Sequence, residues 1–111
     1  MLRRSFTAVL EKGSTFDGDF ATEPYEAGWA LEARWFVNVL RADDGLELSF
    51  VPQVSPDGSR WCDSGEEAMR LCGAGLASLP MRNFGSWLRL DARMVGTPGS
   101  ATLIIYLALK G

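Results

Sequence analysis

The chain has 111 residues, 47% of them apolar and 23% charged, with a net charge of −3 and no histidine. That length suits one domain spanning 1–111, without the dense basic field that nucleic-acid binding requires. With no His and 2 Cys, one chain cannot assemble Ser-His-Asp, Cys-His or zinc-hydrolase chemistry. No catalytic residue, metal or cofactor is expected.

Alternation with a period of two, the mark of half-buried strands, runs through most of the chain. Near the start Phe6, Ala8 and Leu10 alternate with Ser5, Thr7 and Glu11, predicting a first strand. The Arg3-Arg4 pair ahead of it leads into no long apolar run, so no export signal is expected and synthesis is placed in the cytoplasm. The polar, acidic stretch 13–28 reads as a long loop.

From Trp29 to Arg41 the odd positions Trp29, Leu31, Ala33, Trp35, Val37 and Val39 form a core face, while Phe36 and Leu40 fall on the other. Asp43-Asp44-Gly45 is a turn signature, and Leu46, Leu48, Phe50 and Val54 follow on one face of the next strand. The pair reads as a hairpin. Pro52 cannot donate to a ladder, which predicts an edge or a bulge. Ser55-Pro56-Asp57-Gly58 is a strong turn, and Trp61 after it reads as a core anchor.

The segment after Glu66 admits a helical turn or two short strands, Ala68 to Cys72 and Leu76 to Met81, joined at Gly73-Ala74-Gly75. The strands fit the surrounding pattern better. Trp87 to Val95 alternates again, Gly96 to Ser100 is a turn, and Ala101 to Leu109 is the last strand. That last run is the longest apolar stretch and is half the length needed for a membrane helix, so no membrane partner is expected. Seven or eight short strands without a convincing helix predict an all-β protein, a single antiparallel β-sandwich of jelly-roll type.

The last strand is apolar on both faces. Ala101, Leu103, Ile105, Leu107 and Leu109 make a core face, and Thr102, Ile104, Tyr106 and Ala108 the other. The outer face of a sandwich sheet is ordinarily wet, and a bare strand of this kind invites aggregation. Either the 13–28 loop covers it or another subunit does. Phe36 and Trp87 also fall on nominally outward faces, so Phe36, Trp87, Ile104 and Tyr106 are the candidate interface residues.

The other candidates have plainer readings. Asp17-Gly18-Asp19 with Glu23 and Glu26 offers carboxylates to calcium but lacks the EF-hand spacing. Asp57 and Asp63 flank Trp61 and read as turn residues. Cys62 and Cys72 would meet only across a hairpin, and reduced thiols are the default without export. The 4 Trp residues suggest a sugar-stacking platform, although alternation sends Trp29, Trp35 and Trp61 inward.

The run Ser55-Pro56-Asp57-Gly58-Ser59-Arg60-Trp61 resembles an S-x-D-G-x-x-W element of small β-sandwich structural proteins in phage and phage-like particles. Phe84-Gly85-Ser86-Trp87-Leu88-Arg89-Leu90 resembles a second element of the same pattern. The resemblance implies a structural role: a capsid decoration protein, or a head or tail accessory, in a virion or assembled particle. It implies homo-oligomers or docking onto a larger protein shell, with no enzymatic activity. The alternative is a carbohydrate-binding module using the same surface aromatics.

Overall fold

The structure, a computed structural model, describes residues 4–111; Arg3 of the basic pair lies outside them. Among the described residues ten strands form: β1 (Ser5–Phe16), β2 (Phe20–Ala21), β3 (Tyr25–Glu26), β4 (Glu32–Ala42), β5 (Leu46–Ser55), β6 (Cys62–Asp63), β7 (Met69–Leu71), β8 (Gly75–Arg82), β9 (Trp87–Gly96) and β10 (Ala101–Lys110). They pair antiparallel in two sheets. One runs β1-β10-β4-β8; the other runs β2-β9-β5-β6, with β3 also on β9 and β7 also on β5. No helix forms among the described residues.

Counting β2 with β3 and β6 with β7 as interrupted strands gives the eight-strand, two-sheet jelly roll. The predicted class therefore holds. The first sheet is called the β10 sheet below and the second the β9 sheet.

The core between the sheets comes from the alternation. β10 contributes Leu103, Ile105, Leu107 and Leu109, β4 contributes Trp35, Val37 and Val39, and the β9 sheet contributes Leu48, Phe50, Leu88 and Leu90, all within 1% of full burial. Each such side chain is worth roughly 1.5–3 kcal/mol of transfer from water. The Trp35 indole N–H, sealed in this core, donates to Met81 Sδ at 3.1 Å.

Several expectations are corrected. β4 and β5 do not form a hairpin: β4 pairs with β10 and β8, whereas β5 pairs with β9, β6 and β7. Asp43-Asp44-Gly45 instead carries the chain from one sheet to the other. It packs on the second sheet-changing corner, 97–100, where Asp43 Oδ2 accepts from Ser100 N at 2.8 Å and Thr97 N donates to Gly45 O at 3.0 Å. The hairpin turn is Ser55-Pro56-Asp57-Gly58, between β5 and β6, which are paired. Likewise β7 and β8 form as strands but in different sheets.

The stretch 13–28 is no simple loop. β1 continues to Phe16 through two register shifts, and β2 and β3 lie on β9 at Phe20↔Ala92 and Tyr25↔Leu88. Between them buried Thr22 joins the ladder: its N–H reaches Leu90 O, and its Oγ1 accepts from Leu90 N, both at 3.0 Å.

Pro52 lies in a strand paired on both sides, not on an edge. Its position falls where the outer partner is interrupted, between β6 and β7, and its carbonyl accepts from Ser64 N at 2.9 Å. A missing N–H there breaks no ladder. The core face predicted from Trp29 starts late, because β4 begins at Glu32 and Leu31 is 76% exposed.

Candidate docking surface

The outer face of the β10 sheet collects three of the four predicted interface residues. Tyr106 is paired with Phe36 on β4 and with Val9 on β1, and Ile104 lies two residues along the same strand. All three predicted residues are half-buried. Their neighbours extend the apolar area: Leu76, opposite Asn38 on β4, is 66% exposed, and Leu40 and Val9 are also open. The part of 13–28 that follows β1 lies along the β9 sheet and does not cover them.

Cations frame this apolar centre. Lys12 is paired with Ile104, Arg34 with Ala108, and Lys110 and Arg82 with the two sides of Glu32. Arg41 reaches over Thr102 and Ser100 and pairs with Asp43. A shallow hollow of about 370 Å³ opens beside Phe36, lined by Glu32, Arg34, Pro80, Arg82, Ala108 and Lys110. Apolar centre and polar rim are the anatomy of protein–protein interfaces.

Trp87 is not part of this surface. It lies on the opposite, outer face of the β9 sheet, paired with Ser55. There the two sequence motifs meet. Ser55 Oγ accepts from Asp57 N and Gly58 N, and Asp57 Oδ1 accepts from the N–H groups of Ser59 and Arg60 at 2.9 and 3.1 Å. Those backbone donors, led by Arg60, hold the Asp57 carboxyl below its ordinary range. The turn so fixed lays Gly58 against the Trp87 ring.

Trp61 is not the core anchor that its type suggests. The Arg89 guanidinium sits 4.5 Å from its ring centre. Arg89 Nε also donates to Gln53 Oε1 at 2.7 Å, and Gln53 Nε2 to Asp63 Oδ1 at 3.0 Å. Trp29, also expected inward, is half-buried at the edge of the core with Arg4 at 4.1 Å from its ring. Of the tryptophans, Trp35 fills the core.

The remaining candidates separate. Asp19 Oδ1 accepts from Met94 N at 2.8 Å. Among the described residues no group of three or more His, Cys, Asp or Glu side chains gathers to hold a metal ion. Cys62 and Cys72 are free and exposed. Cys62 is opposite Val54, while Leu71, just before Cys72, is opposite Leu48. Their separation along β5 is therefore roughly 20 Å, far beyond disulfide reach. No helix among the described residues is long and apolar enough to cross a membrane.

Sequence reasoning missed Val9, Leu76 and the cationic frame. Their signal was present as apolar or basic residues at outward positions of predicted strands. Which outward faces belong to one sheet depends on the strand order, and periodicity does not carry that.

The fold and this surface define the class: a jelly-roll sandwich with one broad apolar outer face. No protein family matches the chain, and no curated protein does. Solved structures do share its fold. The PBSX exported protein XepA aligns with 97% of this chain at a TM-score of 0.61 and 12% identity, over 36% of its own length. The SPBc2 prophage-derived protein YomS aligns over 100% of this chain and 96% of its own, at 0.56 and 7%. The VP2 subviral particle protein of infectious bursal disease virus aligns over 97% of this chain at 0.63 and 14%. This chain spans about a third of XepA and of VP2.

Proposed function

We propose that this protein is a non-enzymatic structural subunit of a phage-like particle, of the decoration or accessory type. It works by burying the outer face of its β10 sheet against a neighbouring subunit. The observation that carries this reading is the row Val9–Tyr106–Phe36 with Ile104 and Leu76 beside it, an apolar area that the described residues leave uncovered. A jelly roll shared with prophage proteins and a viral capsid protein supports the setting. The sheet face measures about 500 Å² on ordinary strand spacing and rise. Two such surfaces together reach on the order of 1,000 Å², the lower margin for a specific contact. The site of action under this reading is the assembled particle.

The test is the native mass of the wild type and of the double variant Ile104→Glu with Tyr106→Glu, by light scattering after size exclusion. A defined oligomer that becomes a folded monomer supports the assembly reading. Equal masses for the two proteins count against it. The competing carbohydrate-binding reading uses Phe36, Tyr106 and Trp87 as solvent-facing platforms. It predicts a saturable tryptophan fluorescence shift on adding oligosaccharides, which the assembly reading does not.

A further inference from the structure

Resting on the assembly reading, we infer that the occupant of the β10-sheet face is a second copy of this chain in a head-to-tail contact. The copy presents its acidic flank, residues 17–28, to the cation-framed face of its neighbour.

The face carries Lys12, Arg34, Arg41, Arg82 and Lys110 against Glu32 and the Asp43 that pairs with Arg41, on a chain whose net charge is −3. Two such faces meeting each other would bring together rims on which cations outnumber carboxylates. Like-charge juxtaposition of that kind disfavours a symmetric face-to-face dimer. The occupant must offer carboxylates at the rim.

The chain itself supplies them. The flank formed by the segment after β1, with β2 and β3, bears Asp17, Asp19, Glu23 and Glu26, of which Asp19 and Glu26 also accept from the N–H groups of Met94 and Gly28. The Phe16 and Phe20 rings, stacked 3.8 Å apart at 11°, hold the two sheet edges of this flank together. Glu23 also lies near enough to Glu11 on β1 to add to the rise that burial gives the Glu11 pKa. A carboxylate from the flank would enter the hollow on the Arg34 side, where Arg34, Arg82 and Lys110 outnumber the resident Glu32, while the apolar centre packs beside it.

Face and flank are different surfaces, so the contact is heterologous and propagates as a ring or a filament. Its charged rim makes it salt-sensitive, because exposed charges lose their reach as the Debye length falls from about 30 Å at 0.01 M to 3 Å at 1 M.

The experiment uses two charge-reversed variants of the full chain. One is Arg34→Glu with Arg82→Glu; the other is Asp17→Lys with Glu23→Lys. Each is checked for folding by near-ultraviolet circular dichroism and weighed by light scattering at low and high salt, alone and in equimolar mixture. The wild type is expected to associate at low salt and to dissociate at high salt. Each variant alone is expected to be monomeric, and the mixture to regain the wild-type mass, since each reversed surface then meets its complement.

A mixture of folded variants that stays monomeric overturns the head-to-tail contact. A wild type that stays monomeric at low salt up to millimolar concentration also overturns it, leaving a different shell protein as the partner. Association that Ile104→Glu with Tyr106→Glu leaves intact removes the assembly reading itself, so the two failures are distinct.

Discussion

Gly58 lies against the Trp87 indole with a φ of +79°, and a Cβ there would stand 3.0 Å from the ring. Two motifs far apart in the chain thereby become one structure: the Ser-Pro-Asp-Gly turn closes the β5–β6 hairpin, and Trp87 at the start of β9 is the floor on which it rests. Gly58→Ala meets both the backbone penalty and the ring. We expect it to cost about 1–3 kcal/mol in urea unfolding. Combining it with Trp87→Leu should cost less than the two singly, because they break one shared contact.

Asp57 gives that turn a pH dependence. Its folded-state pKa lies below the ordinary value of 3.8, through the N–H groups of Arg60 and Ser59 and the Ser55 hydroxyl. A lowered carboxylate pKa adds stability above the ordinary value and loses it as pH falls through the folded value. Asp43, held low by the Ser100 N–H at the paired sheet corners, acts in the same direction. Asp57→Asn should therefore be less stable than wild type at neutral pH, and the gap should close below about pH 4. Urea midpoints measured across acid pH check this.

In the core, Trp35 has its indole N–H directed at the Met81 thioether. Met81→Leu keeps the volume but leaves that buried donor without an acceptor, and should cost about 1–3 kcal/mol in urea unfolding. Adding Trp35→Phe removes the orphaned donor. That second substitution should then cost less in the Met81→Leu background than it does alone.

Cys62 and Cys72 should both titrate with a thiol reagent in the native protein, since both are exposed and free. Reductant should leave the Tm unchanged, and Ser at either position should change stability by no more than about 0.5 kcal/mol. A mass lower by two hydrogens in the oxidised monomer would contradict the strand register.

Much of this fold was legible in the sequence. The alternation through 46–54, 87–95 and 101–109 identified β5, β9 and β10 and the residues they bury. Period two does not say which strand lies next to which, however. Asp43-Asp44-Gly45 has the same turn chemistry whether it closes a hairpin or crosses between sheets. Strands of two residues, such as β2 and β3, are too short to alternate, so 13–28 read as a loop. Alternation sent Trp29 and Trp61 inward, but both lie just outside the strands whose parity was extended to them, β4 from Glu32 and β6 from Cys62. Arg4 and Arg89 lie over their rings.

The candidate surface divides in the same way. Ile104 and Tyr106 were found because β10 is apolar on both faces, and Phe36 because it breaks the polar side of β4. Trp87 met the same outward criterion, but on the other sheet. Residue type and parity located exposed aromatics one by one; only the jelly-roll order assembles Phe36, Tyr106 and Val9 into a row.

The most direct test of the central claim is hydroxyl-radical footprinting, read residue by residue by mass spectrometry, in the dilute and the assembled protein. The account predicts that Phe36, Ile104 and Tyr106 lose labelling on assembly while Trp61 and Trp87 keep theirs. Protection of Trp61 and Trp87, with Phe36 and Tyr106 labelled as before, would contradict it and move the docking surface to the β9 sheet.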